Sequence, residues 1–398
     1  MTLAPIRIAI VGMGLRGVDL ARTFGQDVRY TISALCDINI GKLHQIQLAL
    51  GLTRIPAYTN IARLLQQEDP DAVVVAVPDG CHAAAAVPAL EAGKRVFLEK
   101  PLEITATRCQ EIIAADDAAG GKTFVGFNLR FSPLYAEIRR LLDNRAIGDI
   151  LTIQADEFYD GGRTYFRRWN RRRADSGGLW ITKACHDFDL LCWFAGCPPL
   201  AVSASAALSH YVPRSDAAIY CGDCPVAASC PDNYANFRGP FGSLAALVFE
   251  AAAANGGPRP DLCLYNSDKD TFDHGMAIVE FGQNTIATYT CNVVAGFTDR
   301  RIRISGTAGT IDGALSESRI IVRQRDPSSV RALPLPNNSG AFGGADELVL
   351  DGFYQFVRGQ TGPSIPPRQA FLSVLTGIAA TRSSDERRRV LLSEVWPG

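Results

Sequence analysis

The sequence has no apolar run approaching the roughly 18 residues that a membrane-spanning helix needs, so no spanning segment is expected. It has no surplus of either charge: 40 lysines and arginines face 41 aspartates and glutamates, a formal net charge of −1. No overall field therefore draws the chain to nucleic acid or to a membrane. The opening Met1-Thr2-Leu3-Ala4-Pro5 lacks the charged and apolar regions of a signal peptide, which makes the cytoplasm the expected compartment. No internal repeat is visible, so a solenoid is not expected. Within its 398 residues, 47% hydrophobic and 20% charged content leaves ample core for two domains.

The informative stretch comes first. Ile6 to Val11 is a short β-branched apolar run that stops at Gly12-Met13-Gly14-Leu15-Arg16-Gly17, and Val18 to Phe24 then has helical spacing. Strand, glycine turn and helix suit a dinucleotide: Gly12 permits the turn, Gly14 admits a pyrophosphate, and Gly17 lets helix and strand pack closely. The helix N-terminus offers free N–H groups to the phosphates. A second strand, Tyr30 to Cys36, ends at Asp37, where a carboxylate would accept both ribose hydroxyls. That aspartate repels a 2′-phosphate and so favours NAD over NADP, with Arg16 as a partial offset.

Strands and helices then alternate, which predicts an α/β fold with a doubly wound parallel sheet. Asp71 to Val77 reads as a buried strand ending at Pro78-Asp79. His82 lies in the first turn of the next helix. Arg95 to Leu98 runs into Glu99-Lys100-Pro101, and Thr123 to Phe127 into Asn128. In such sheets ligands lie beyond the C-terminal strand ends. Gly12, Asp37, Pro78, Glu99, Lys100 and Asn128 all fall there by this count. Lys100 is placed to point its ammonium at the nicotinamide region, although an exposed loop lysine is the commoner fate.

These motifs, together with Asn128-Leu129-Arg130, Ser176-Gly177-Gly178, His186-Asp187-Phe188-Asp189, Ile304 to Thr310 and Gly343-Gly344-Ala345-Asp346, resemble the glucose–fructose oxidoreductase/inositol dehydrogenase (Gfo/Idh/MocA) family over essentially the whole chain. The resemblance implies an NAD-binding Rossmann domain over 1–128. It also implies a substrate-binding and oligomerisation domain over 129–398, with a large, open, mainly antiparallel sheet and a C-terminal helix packing back on the first domain. The implied activity is NAD(P)-dependent oxidation or reduction of a sugar, cyclitol or glycoside hydroxyl. Family members usually carry an aspartate four residues before the histidine. Here Thr182 stands in that slot with Lys183 beside it, which looks like a subgroup reading Lys-x-x-His-Asp-Phe-Asp. Phe342 stands near the place of a family histidine.

A helix is expected from about Leu179 to Phe194, with Lys183 and His186 on one face. A near-neutral histidine is a natural base for an alcohol proton. A nearby ammonium would stabilise the alkoxide, with Lys100 as a second cation. Lys183 would itself be the base if desolvation lowered its pKa, and a satisfied core histidine is the bland alternative. Upstream, Arg163 to Arg173 holds six arginines among three aromatics. It reads as a solvated loop, as a nucleic-acid contact, or as the rim of a substrate pocket where Arg168 and Trp169, with Arg130 and Asp187, meet the sugar.

Cys221, Cys224 and Cys230 have the spacing C-x2-C-x5-C, which suits a structural zinc with a fourth ligand among His210, Cys263 and His274. Free thiols and a local disulfide are the alternatives. Three strands, Ala277 to Phe281, Thr285 to Cys291 and Arg300 to Ile304, begin a meander whose outer face needs cover, so a homodimer or homotetramer is expected. The leading function is a dehydrogenase of a sugar, glycoside or cyclitol, with the 3-hydroxyl of a pyranoside favoured by analogy. A glycoside lyase or hydrolase using transient oxidation and a non-enzymatic dinucleotide sensor are the rivals.

Overall fold

The computed structural model describes residues 4–236, 242–326, 329–336 and 345–397. Of the expected Pro334 to Gly344 loop, residues 337–344 lie outside the described set, Phe342 and Gly343-Gly344 among them.

The first sheet has six parallel strands: β1 (Ile6–Val11), β2 (Tyr30–Cys36), β3 (Ala57–Tyr58), β4 (Ala72–Val75), β5 (Arg95–Leu98) and β6 (Thr123–Val125). Their spatial order is β3-β2-β1-β4-β5-β6. Val73, Val74 and Val75 are fully buried, as the continuous apolar run requires for a strand covered on both faces. Register aligns the strand ends: Val11 pairs with Cys36 and Val75, Val75 with Leu98, and Leu98 with Val125. The residues that follow each strand therefore emerge along one edge. Helices α1 (Leu15–Gln26) and α2 (Ile40–Leu50) connect the first strands; Asn39 caps α2 by accepting from Lys42 N at 2.9 Å.

The second sheet has nine strands: β7 (Ile150–Phe158), β8 (Pro199–Ala207), β9 (His274–Phe281), β10 (Ile286–Asn292), β11 (Asp299–Gly306), β12 (Gly309–Ala314), β13 (Arg319–Gln324), β14 (Val330–Pro334) and β15 (Val390–Leu391). All neighbours are antiparallel except β7 and β10. No helix among the described residues is long and apolar enough to cross a membrane.

Two departures from the sequence reading matter. The expected continuous helix from Leu179 to Phe194 is two helices, Leu179–Thr182 and Cys185–Ala195, parted at Lys183 with φ −109° and ψ −55°. The Thr182 carbonyl at the break accepts Lys100 Nζ at 2.8 Å, which satisfies a helix-end acceptor. Second, a helix spans Gly242–Ala254 and packs on α1 and α2. Its alanine-rich sequence has no polar stripe, so no amphipathic period marks it.

The first sheet is completed from the far end of the chain. The Ala345–Val357 helix inserts Phe353 among Phe24, Tyr30, Phe97 and Phe124, with ring centroids 5.3–6.4 Å apart. Tyr30 Oη donates to the Leu350 carbonyl at 2.8 Å. The Pro367–Glu386 helix packs on the Ala106–Ala119 helix. Phe353→Ala empties a fully buried ring site and is expected to lower stability by about 3–5 kcal/mol. Chemical denaturation of the two proteins checks this.

Candidate functional site

The glycine turn is dictated by space. Gly12 has φ +93°, and a Cβ there would lie 2.5 Å from the Ala76 carbonyl oxygen. A Cβ on Gly17 would lie 1.8 Å from the Gly12 oxygen. Gly14 differs, for a Cβ there meets nothing within 4 Å. The first and third glycines let strand, turn and helix pack, and the second leaves bare backbone facing a cavity. Met13 is buried, but its backbone N–H donates to Asp37 Oδ2 at 2.9 Å. Asp37 also accepts from Asn39 N at 2.9 Å and from Lys42 Nζ at 2.5 Å.

Arg16 is bound elsewhere. It donates to Glu99 at 2.7 Å, to Asp19 at 2.9 Å and to Asp346 at 3.0 Å. Burial opposes its charge, and Glu99 and Asp346 more than restore it. It is thus committed to its own acids rather than offsetting Asp37. Asn128 Nδ2 donates to Asp346 at 2.8 Å. His82 is fully buried, with Nδ1 2.7 Å from the Pro101 carbonyl and Nε2 3.2 Å from that of Val77. Burial pulls its pKa down to about 4. It ties the strand-end loops together and keeps no ring nitrogen for a ligand.

The cavity holds about 1840 Å³ and runs from the glycine turn across the strand ends to the second domain. Lys100, Lys183 and His186 all line it, as do Arg168 and Trp169. Lys183, at the helix break, and His186, in the first turn of the helix that follows, both line it. Lys183 Nζ bonds Glu157 Oε1 at 2.8 Å and lies 4.0 Å from the Tyr159 ring centroid. Burial works against its charge, but Glu157 and Tyr165 outweigh this and raise its pKa. Lys183 is therefore held as an ammonium and not as a base. His186 is pushed well below its ordinary pKa by burial, then by Lys100, Arg300 and Lys183, and is a neutral imidazole.

Glu157 is shared with Arg300, and Tyr289 Oη donates to it at 3.2 Å and to Asp187 at 3.0 Å. Arg300 also reaches Asp187 at 3.2 Å. Asp187 therefore stands behind the cavity wall, not at a substrate. Arg130 is likewise internal: it binds Asp189 bidentately at 2.7 Å and lies over Trp193. Both were expected to touch the sugar, and both are consumed by buried partners.

The sequence reading named neither Glu157 nor Asp79 as a site residue. Asp79 lines the cavity just beyond β4, with an Oδ2 that has no hydrogen-bond partner. Burial pushes its carboxyl up to about 7, partly opposed by Lys100 and Thr182. Its signal was its place after Pro78 at a strand end. Cys221, Cys224, Cys230 and Cys263 line a separate small cavity, where Tyr234 N–H donates to Cys221 Sγ at 3.5 Å. No disulfide joins these thiols. Among the described residues no three His, Cys, Asp or Glu side chains are placed to hold a metal ion, and the expected zinc is not shown.

Residues 6–127 match the oxidoreductase family's NAD-binding Rossmann fold, and residues 139–392 match its C-terminal α/β domain. The chain belongs to the Gfo/Idh/MocA oxidoreductase family. YteT of Bacillus subtilis (strain 168), itself named only provisionally as an oxidoreductase, is 29% identical over 330 residues, 76% of this chain and 77% of YteT. Inositol 2-dehydrogenase 1 of Saccharopolyspora erythraea is 36% identical over 146 residues, 36% of this chain and 43% of that protein. The chain thus spans less than half of that dehydrogenase. The structure of the WlbA dehydrogenase from Bordetella pertussis, solved with NADH and UDP-GlcNAcA, superposes with a TM-score of 0.70 at 19% identity, over 97% of this chain and 98% of that one. As a Gfo/Idh/MocA member the chain takes a nicotinamide cofactor, and the bare Gly14 backbone and the Asp37 carboxylate fit one.

Gly14→Val is expected to weaken NAD binding at least 10-fold with an unchanged melting temperature, whereas Gly17→Ala lowers the melting temperature; nucleotide titration and thermal unfolding separate the two. Asp79 yields a pH prediction. Its folded pKa lies above the unfolded one, so the folded state binds the extra proton and stability falls as pH rises toward 7. Relative to wild type, Asp79→Asn should gain about 2 kcal/mol between pH 5 and pH 8. A stability difference that does not move with pH contradicts this.

Proposed function

We propose that the chain is an NAD(H)-dependent dehydrogenase acting on a ring hydroxyl of a sugar, glycoside or cyclitol, in a subgroup marked by Lys183-x-x-His186-Asp187-Phe188-Asp189. The observation that carries this reading is the meeting of Lys100, Lys183 and His186 in one cavity at the C-terminal strand ends of the Rossmann sheet. The inositol dehydrogenases among its relatives support the substrate class. Gly12 to Gly17, Asp37, Pro78, Glu99 and Asn128 would hold the dinucleotide. Asp37 favours NAD, since it opposes a 2′-phosphate and the neighbouring Lys42 is already paired with it.

When bound, the nicotinamide supplies hydride acceptance or donation. The protein's own task is the hydroxyl proton. His186, held neutral, takes that proton from the alcohol. The Lys183 and Lys100 ammoniums stabilise the oxygen as it becomes negative, and Glu157 keeps Lys183 charged for that purpose. The outward face of the second sheet exposes Met276, Ile278 and Ile286 at 61%, 47% and 47%, an apolar row that a second copy of the chain would cover.

The test is a panel of sugars, inositols and glycosides with NAD, followed by absorbance of the reduced cofactor. The expected result is stoichiometric NADH from at least one of them. His186→Ala and Lys183→Ala should each lower kcat by 10²- to 10⁴-fold, with little change in NAD affinity. Product without NADH would instead identify a redox-neutral lyase or hydrolase. Unchanged function in both variants would leave a dinucleotide sensor.

A further inference from the structure

Between Arg163 and Arg173 the chain carries six arginines, and five are spent on the protein itself. Arg163 binds Asp232 at 2.7 Å. Arg167 donates to the carbonyls of Leu262 and Asp232. Arg171 binds Asp268 at 2.6 Å, Arg172 pairs with Asp175 at 3.1 Å, and Arg173 pairs with Asp385 at 2.7 Å. Arg168 is the exception: among the described residues its guanidinium has no carboxylate and no hydrogen-bond acceptor. It lines the cavity and lies 5.8 Å from the Phe249 ring centroid.

Burial lowers the pKa of Arg168, and Tyr165, Asp79 and Tyr159 offset this only in part. Asp79 feels the same charge across the cavity but forms no ion pair with it, and is itself pushed toward neutrality by burial. A guanidinium taken partly out of water and left uncompensated is costly unless a ligand brings the counter-charge. Tyr159 and Tyr165 interact electrostatically with both Arg168 and Lys183, so Arg168 belongs to the wall that carries Lys183.

We propose that Arg168 binds a carboxylate of the substrate, which makes that substrate an acidic sugar such as a hexuronic or aldonic acid. The planar fork of arginine matches a carboxylate bidentately. The single charge of the Arg168 guanidinium balances one carboxylate, whereas a phosphate monoester brings close to two negative charges. The inference rests on reading the cavity as a sugar site and narrows the substrate within it.

The test is calorimetric titration of the NAD-loaded protein with D-glucuronate, D-galacturonate and D-gluconate, set against D-glucose, D-galactose and D-glucose 6-phosphate. At least one acid should bind 10-fold or more tightly than its neutral counterpart and more tightly than the phosphate. Arg168→Gln should abolish that preference, with the affinities for the neutral sugar and for NAD and the melting temperature unchanged, and Arg168→Lys should restore part of it. The proposal is overturned if no acid is preferred, if the phosphate binds best, if Arg168→Gln weakens acid and neutral sugar equally, or if it weakens NAD instead. Selective binding without NADH formation would uphold the carboxylate site and end the dehydrogenase reading. NADH from neutral sugars alone would do the reverse.

Discussion

Four charged groups are buried together at the cavity wall, with Glu157, Lys183 and Arg300 lining it and Asp187 behind them. None could be placed there singly, because an isolated ion taken from water pays more than packing returns. As a set, cross-linked by Tyr289, they satisfy one another. The arrangement also sets the chemistry in front of it. Glu157 holds Lys183 as a cation, and burial, helped by the charges of Lys100, Arg300 and Lys183, keeps His186 neutral. An ammonium beside an uncharged imidazole suits the alcohol-proton removal proposed for this site. The second sheet supplies this from three neighbouring strands: Glu157 on β7, Tyr289 on β10 and Arg300 on β11.

The parts of the site written in local chain pattern were legible in the sequence. Strand β1, the glycine turn, and strand β2 ending at Asp37 are contiguous signals whose geometry follows from sterics, and the first sheet's alternation placed Glu99, Lys100 and Asn128 on one edge. What could not be read was partnership across long sequence distance. Arg130 and Asp187 look like ligand-binding residues until Asp189, Arg300 and Tyr289 are seen to consume them. Arg16 looks free until Glu99 and Asp346 close on it, 83 and 330 residues away. His82 stands in the right place but has both nitrogens turned to carbonyls.

Helical spacing misled at one point and succeeded by another route. Lys183 and His186 share the cavity across an interruption of the helix, where Lys100 from the other domain donates to the Thr182 carbonyl. The same lysine thereby joins the two halves of the site. The cysteine spacing misled differently. C-x2-C-x5-C brings thiols to one small cavity, yet the described residues do not offer a ligand set with them. Spacing constrains proximity along the chain but not the convergence of the sulfur atoms.

The aromatic cluster around Phe353 carries a consequence for how the chain matures. Phe24, Tyr30, Phe97 and Phe124 are made first on the ribosome, yet the ring that seals them arrives more than 200 residues later. Until residues 345–357 emerge, the nascent Rossmann half exposes an oily aromatic face at the tunnel exit. Its final closure therefore waits for a late segment even though its strands are the first to be synthesised, and the interval in between is when a chaperone has most to hold.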